Sequence, residues 1–177
     1  MKPFRAALAA AALCAFTFVA QSQPPQQLAS SPFTVLRAED FHPYIVQFAA
    51  DEREATGKAP ATDPWPWLQS NIPFFASSDK QFEEMYYFRW YAWQKHVVQT
   101  SRGTLITEWL PKPDAPDGFY GALPDAAPFH LGEARWLRNP HIAEDYARFW
   151  ISPGADPRKY SFPLADSVRN VVLATGD

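Results

Sequence analysis

Apolar residues in this chain fall into blocks separated by proline- and glycine-rich connectors, and the blocks carry helical rather than strand spacing over most of the length. The densest block is Tyr86–Trp93, where six of eight positions are aromatic and Arg89 sits among them. No Gly or Pro interrupts residues 78–98, so the pattern predicts a helix from Ser78 to about Val98. Ser78 and Gln81 have capping-box spacing, and Asp79, Glu83 and Glu84 lie near the positive end of its dipole. A helix that is aromatic on every side has no face for water, so this one is expected to be enclosed by other helices, as an inner helix of something large.

The flanking blocks read more conventionally. Residues 40–57 fit one helix, with Pro43 tolerated in its first turn and Gly57 at its end. KAPATDPWPW is a proline-broken connector, and WLQSNIPFF is a short helix or an extended arm stopped by Pro73. After the aromatic helix, SRG predicts a turn and TLITEWL a short strand. PKPDAPDGFYGALPDAAP is then a loop of about 18 residues, a length that is uncommon without a function. A helix over 129–138 follows. Asn139 and Pro140 next form the cap and first position of the helix HIAEDYARFWI. A last helix is capped by Ser161, runs to Thr175 and stops at Gly176. The class is mainly α, with a short β-strand or hairpin insertion.

Composition changes this picture at the N-terminus. Lys2 and Arg5 precede an apolar run from Ala6 to Ala20, and small residues at Ala20 and Ser22 suit cleavage after Ser22. About 15 apolar residues fall short of the ~20 that span a bilayer, so residues 1–22 read as an export signal and not a membrane anchor. Residues 23–39, rich in Gln, Pro and Ser, read as a flexible leader, and 40–177 as the folded part. Cleavage would remove Cys14, the only cysteine, so a periplasmic or secreted mature chain would have no disulfide frame. The formal charge of −3 and the absence of a basic cluster argue against nucleic acid. Four histidines without HxxxH or paired-cysteine spacing give no metal signal, and no cofactor motif is present.

Several strings together carry a resemblance: WLQSNIPFFASSDKQFEEMYYFRWYAWQKH, LITEWLP, HLGEARWLRNPHIAEDYARFW, YSFPLADSV and LATGD. In this order and spacing, over about residues 64–177, the chain resembles the six-hairpin glycosidases, and more narrowly the mannosylglycerate-hydrolase-like branch related to glycoside hydrolase family 63. The loop KPDAPDGFYGALPDAAPF departs from that pattern, and Pro128 and Phe129 stand where the family has a small residue and a second histidine before His130. The resemblance implies an (α/α)6 toroid, six inner and six outer helices around a pocket for one sugar ring, and inverting hydrolysis of an α-linked sugar. Inverting chemistry needs two carboxyl groups ~6.5–9.5 Å apart. Both are expected from later hairpins of the family, so no catalytic residue is assigned here. LATGD is interior in the family, so the expectation is an incomplete toroid, the front part of a truncated enzyme that is inactive alone.

What these residues can supply is pocket wall. Arg89 and Trp90 are candidates to border a sugar, the indole stacking on a ring face; the alternative is an ion pair and core packing. Glu108, flanked by Trp109, could accept hydrogen bonds from hydroxyls, or form a salt bridge to Arg89 or Lys112. His130 and Glu133, three apart on one helix face, are candidate hydroxyl binders; the alternative pairs Glu133 with Arg135. Asp166 lies where related toroids hold a tryptophan–aspartate pair, with Pro163 at the tryptophan position; the alternative is helix-start electrostatics. The expected partner is a carbohydrate. Rival readings are a non-catalytic carbohydrate-binding module and a structural helical protein that self-associates through exposed apolar faces.

Overall fold

The computed structural model describes residues 35–110, 120–159 and 163–176. The export signal read in residues 1–22, most of the flexible leader read in 23–39, Lys112 and Ser161 lie outside the described residues. A 3₁₀ turn at Ala38–Phe41 leads into α1 (His42–Thr56), followed by α2 (Trp65–Asn71) and α3 (Lys80–Trp93). A second 3₁₀ turn, Gln94–His96, enters a hairpin of β1 (Val97–Thr100) and β2 (Gly103–Ile106). Then come α4 (Ala127–Ala134), α5 (His141–Ile151) and α6 (Leu164–Thr175). The protein is mainly α with one small antiparallel hairpin, as its pattern predicts. Among the described residues no helix is long and apolar enough to cross a membrane.

Local chemistry sets most boundaries. Gly57 and Gly176 close α1 and α6 with positive φ (70° and 83°), where a side chain would be strained. Asn139 Oδ1 accepts the His141 N–H at 3.2 Å, but α5 begins one residue later than its sequence implies, with Pro140 and not Asn139 at the N-cap. At α3 the cap is Asp79 and not Ser78: its carboxylate accepts from Gln81 N at 3.1 Å and Phe82 N at 3.2 Å. The helix expected over 129–138 starts two residues earlier and ends at Ala134, the chain continuing through single turns to Leu137.

The larger departure is the end of α3. The expected helix to Val98 stops at Trp93, because Val97 and Val98 pair with Ile106 and Leu105 in the hairpin. β-branched residues lose less freedom in a strand than in a helix. Beyond the ladder, Thr107 N–H donates to the His96 carbonyl at 2.9 Å, which draws the two chain segments together next to the helix end. Gly103, at φ 99°, starts β2 directly against Asp145 of α5, whose carboxylate accepts the Thr104 N–H at 2.9 Å. A Cβ at Gly103 would lie 3.0 Å from that carboxyl group, so the close approach needs glycine twice over.

The core runs through both halves. In the first, Phe41 and Tyr44 stack on Tyr87 at 4.8 and 5.5 Å, fixing α1 on α3. In the second, Tyr146, Phe149 and Trp150 of α5 pack behind β2. Leu68, Tyr87, Leu105 and Trp150 are fully buried, and burying such a side chain contributes about 1.5–3 kcal/mol each. The encirclement expected for the aromatic helix is incomplete: Phe82, Met85 and Phe88 of α3 are each more than half exposed and form an i, i+3, i+6 stripe facing solvent.

Candidate functional site

The C-terminal half of α3 presents Arg89, Ala92 and Trp93, and the 3₁₀ turn that follows adds His96. Opposite it, α4 and the turn before it present Leu123, Asp125, Ala126, Phe129, His130 and Glu133. Glu108, just past β2, completes the wall, and together these side chains enclose an open cavity of about 440 Å³. The hairpin positions Glu108: His96 and Thr107 are tied at backbone and ring, and the Glu108 N–H donates to the Gly121 carbonyl at 2.8 Å. Tyr120 and Gly121 both have positive φ, a turn that returns the chain from the long loop to meet Glu108.

Four of the sequence candidates, Arg89, Glu108, His130 and Glu133, therefore meet in one cavity. Arg89 is two-thirds exposed and not buried as its aromatic neighbours implied; its Nε donates to Glu133 Oε1 at 2.9 Å and its Nη2 to the same oxygen. Glu133 thus pairs with Arg89, while the Arg135 guanidinium lies 4.9 Å over Trp136. The second carboxylate oxygen, Glu133 Oε2, is buried with no hydrogen-bond partner among the described residues, and so is the Trp93 indole N–H. An unmade hydrogen bond at a buried polar atom costs about 1–3 kcal/mol.

Glu108 pairs with His130, whose Nε2 approaches its Oε2 at 3.5 Å. Burial holds the His130 imidazole down at about pKa 4, aided by the nearby charges of His96 and Arg89, so the ring is neutral near pH 7. The contact is therefore not an ion pair. A carboxylate can only accept, which puts the His130 proton on Nε2 and leaves Nδ1 to accept, at 3.4 Å, from Tyr146. Burial raises the Tyr146 hydroxyl well above its ordinary range, so it remains a donor. The His96 ring is also fixed, its Nδ1–H donating to the Thr107 carbonyl at 2.7 Å.

The other candidates lie elsewhere. Trp90 is 7% exposed and packs edge-to-face on Trp93 at 5.6 Å; it supports the wall without lining the cavity. Trp109 is more than half exposed outside it. Asp166, exposed in the first turn of α6, accepts from Asn170 at 3.1 Å and does not line the cavity. Trp93, His96, Asp125 and Phe129 were not singled out by the sequence reading. The signal was present: Trp93 and His96 fall four and seven residues after Arg89, and Asp125 and Phe129 eight and four before Glu133. No group of three or more metal-ligating side chains is found among the described residues.

Among solved structures, one described as a sialidase is similar to this chain, with a TM-score of 0.68 and 32% sequence identity. The match covers 80% of this chain and 14% of the sialidase, so the chain spans about one-seventh of that protein's length. No family model matches the chain, and no curated protein matches it.

Proposed function

We propose that this chain is a sugar-binding part of a glycosidase-related helical toroid, and that the cavity between α3 and α4 holds one sugar ring. The observation that carries the reading is the convergence of Arg89, Glu108, His130 and Glu133, on three separate elements, in a cavity of about 440 Å³. That volume is at the small end of ligand pockets. It matches the mixture of apolar wall, supplied by Trp93 and Phe129, with a few fixed polar groups. A sugar hydroxyl both donates and accepts, so ring hydroxyls can donate to the exposed carboxylates of Glu108 and Asp125 and accept from the exposed Arg89 guanidinium. The likeness to a sialidase supports the glycosidase relation.

In this reading the chain binds and orients sugar, and the acid and base of hydrolysis are not assigned to its residues. Arg89 holds Glu133 in place, and the Tyr146–His130 contact fixes the His130 ring so that its Nε2–H faces Glu108. The export signal read in residues 1–22 would carry the protein to the periplasm or beyond. The test is to titrate the full chain with a panel of monosaccharides and plant oligosaccharides by calorimetry, and to assay aryl α-glycosides in parallel. Saturable binding without turnover is expected. Turnover that disappears in Glu108→Gln would place the chemistry in this chain and overturn that division of roles, whereas failure of every sugar to bind would remove the proposal altogether.

A further inference from the structure

Resting on the sugar-binding reading, the chemistry of the cavity goes further and specifies the charge of the ring it accepts. Three carboxylates line it, Glu108, Asp125 and Glu133, against one guanidinium, Arg89. Arg89 is already committed to Glu133. His130 is neutral near pH 7 and cannot offset the excess. Asp125 uses one oxygen to accept the Ala126 N–H at 3.1 Å and is otherwise exposed, and the Glu108 side chain is 41% exposed.

The hydrogen-bonding inventory leans the same way. Glu108 and Asp125 present exposed carboxylates to the cavity, and carboxylates only accept. The Trp93 N–H stands without an acceptor among the described residues, in a side chain only 4% exposed. Among the described residues the wall thus carries negative charge in excess, three carboxylates against one guanidinium. A bound group that is rich in donors and positively charged fits it; one that is rich in acceptors and negative does not.

We infer that the cavity selects sugar rings by charge, taking an amino sugar with a free ammonium group ahead of a neutral ring and disfavouring a ring that carries a carboxylate. In this arrangement the ammonium group lies between Glu108 and Asp125, the two lining carboxylates without a cationic partner among the described residues, and ring hydroxyls meet the exposed Arg89 guanidinium.

The test uses the full chain at pH 7 and low salt, titrated by calorimetry with three matched probes: glucosamine, glucose and glucuronate. Partly exposed ion pairs of this kind correspond to roughly a two- to fivefold change in affinity each, so glucosamine should bind about three- to tenfold more tightly than glucose. Glucuronate should bind more weakly than glucose. Raising salt to 1 M, where the screening length falls to about 3 Å, should close most of the gap. The double variant Glu108→Gln, Asp125→Asn should shrink the glucosamine-to-glucose ratio towards one; both side chains are partly or fully exposed, so a melting curve like that of the parent is expected. Glucuronate binding as tightly as glucosamine overturns the inference but leaves sugar binding standing. So does a preference that is insensitive to salt or unchanged in the double variant. Absence of binding by all three probes overturns the inference together with the reading beneath it.

Discussion

The two ends of α3 each carry a glutamate-centred polar cluster under aromatic cover, and they differ in one respect: whether the polar atoms are all satisfied. At the N-terminal end, Glu83 is 3% exposed and fully engaged. Its oxygens accept from the Tyr44 hydroxyl at 2.8 Å, the Ser77 N–H at 2.7 Å and Lys80 Nζ at 2.9 and 3.0 Å. At the C-terminal end, Arg89 engages one oxygen of Glu133, while the other oxygen and the neighbouring Trp93 N–H have no partner among the described residues. A closed network fixes α1 and the preceding loop on α3 and has no capacity left for a ligand. The open one keeps capacity, beside a cavity. A buried carboxylate is thus informative about function only once its hydrogen bonds have been counted.

The sharpest way to break this comparison is to neutralise the closed cluster. Glu83→Gln keeps the shape but cannot accept three donors as a carboxylate does, and it should cost about 2–4 kcal/mol of stability, read as a lower urea midpoint. Sugar affinity at the far end of the helix should hardly move in the fraction that stays folded. A loss of binding without a loss of stability would mean that the roles of the two ends have been reversed.

The ends should also separate in pH. Burial alone would push the Glu83 carboxyl up, but the Ser77 N–H, Lys80 and Tyr44 outweigh it and hold the carboxyl below its usual range. Its contribution is therefore present above the unfolded value near 4.5 and is lost as acid protonates it. His130 behaves differently: the unfolded ring takes up a proton near 6.5 and the folded ring only near 4. Between those values the unfolded chain binds more protons, so stability falls as the pH drops from 6.5 to 4, by at most about 3 kcal/mol. Urea midpoints measured across pH 4–7 should show this slope, and His130→Asn should flatten it. A flat profile in the parent protein would mean that the cavity is wetter than its geometry implies.

Much of this arrangement is readable in the residues, and the unreadable part has identifiable causes. Gly57, Asn139 and Gly176 announce the ends of α1, α5 and α6 because caps are local chemistry. The end of α3 is not local: Val97 and Val98 continue a helical-looking run, and only their partners Ile106 and Leu105 make them a strand. Likewise, His130 and Glu133 are detectable as an i, i+3 pair, yet nothing near Arg89 in sequence reveals that its partner is Glu133, 44 residues away. Trp90 drew attention by composition and proved to be core, whereas Trp93, three residues on, lines the cavity. Composition cannot separate the two, since the distinction depends on which helix packs against which face.

The gentlest probe falls on the open cluster itself. Glu133→Gln removes the charge that Arg89 holds and replaces an oxygen with an amide. Arg89 is two-thirds exposed, so the pair contributes at most about 1 kcal/mol to folding and the urea midpoint should shift little. Binding should suffer more, because Glu133 holds the Arg89 guanidinium in place at the cavity wall; a bond to a charged group amounts to about 1.5–3 kcal/mol, or roughly tenfold or more in affinity. The expected result is a calorimetric affinity down by about tenfold with melting behaviour close to that of the parent. If instead stability fell as far as in Glu83→Gln while sugar affinity held, Glu133 would belong with Glu83 among the groups that hold the fold together, and the unmatched oxygen would be a packing fault filled by water.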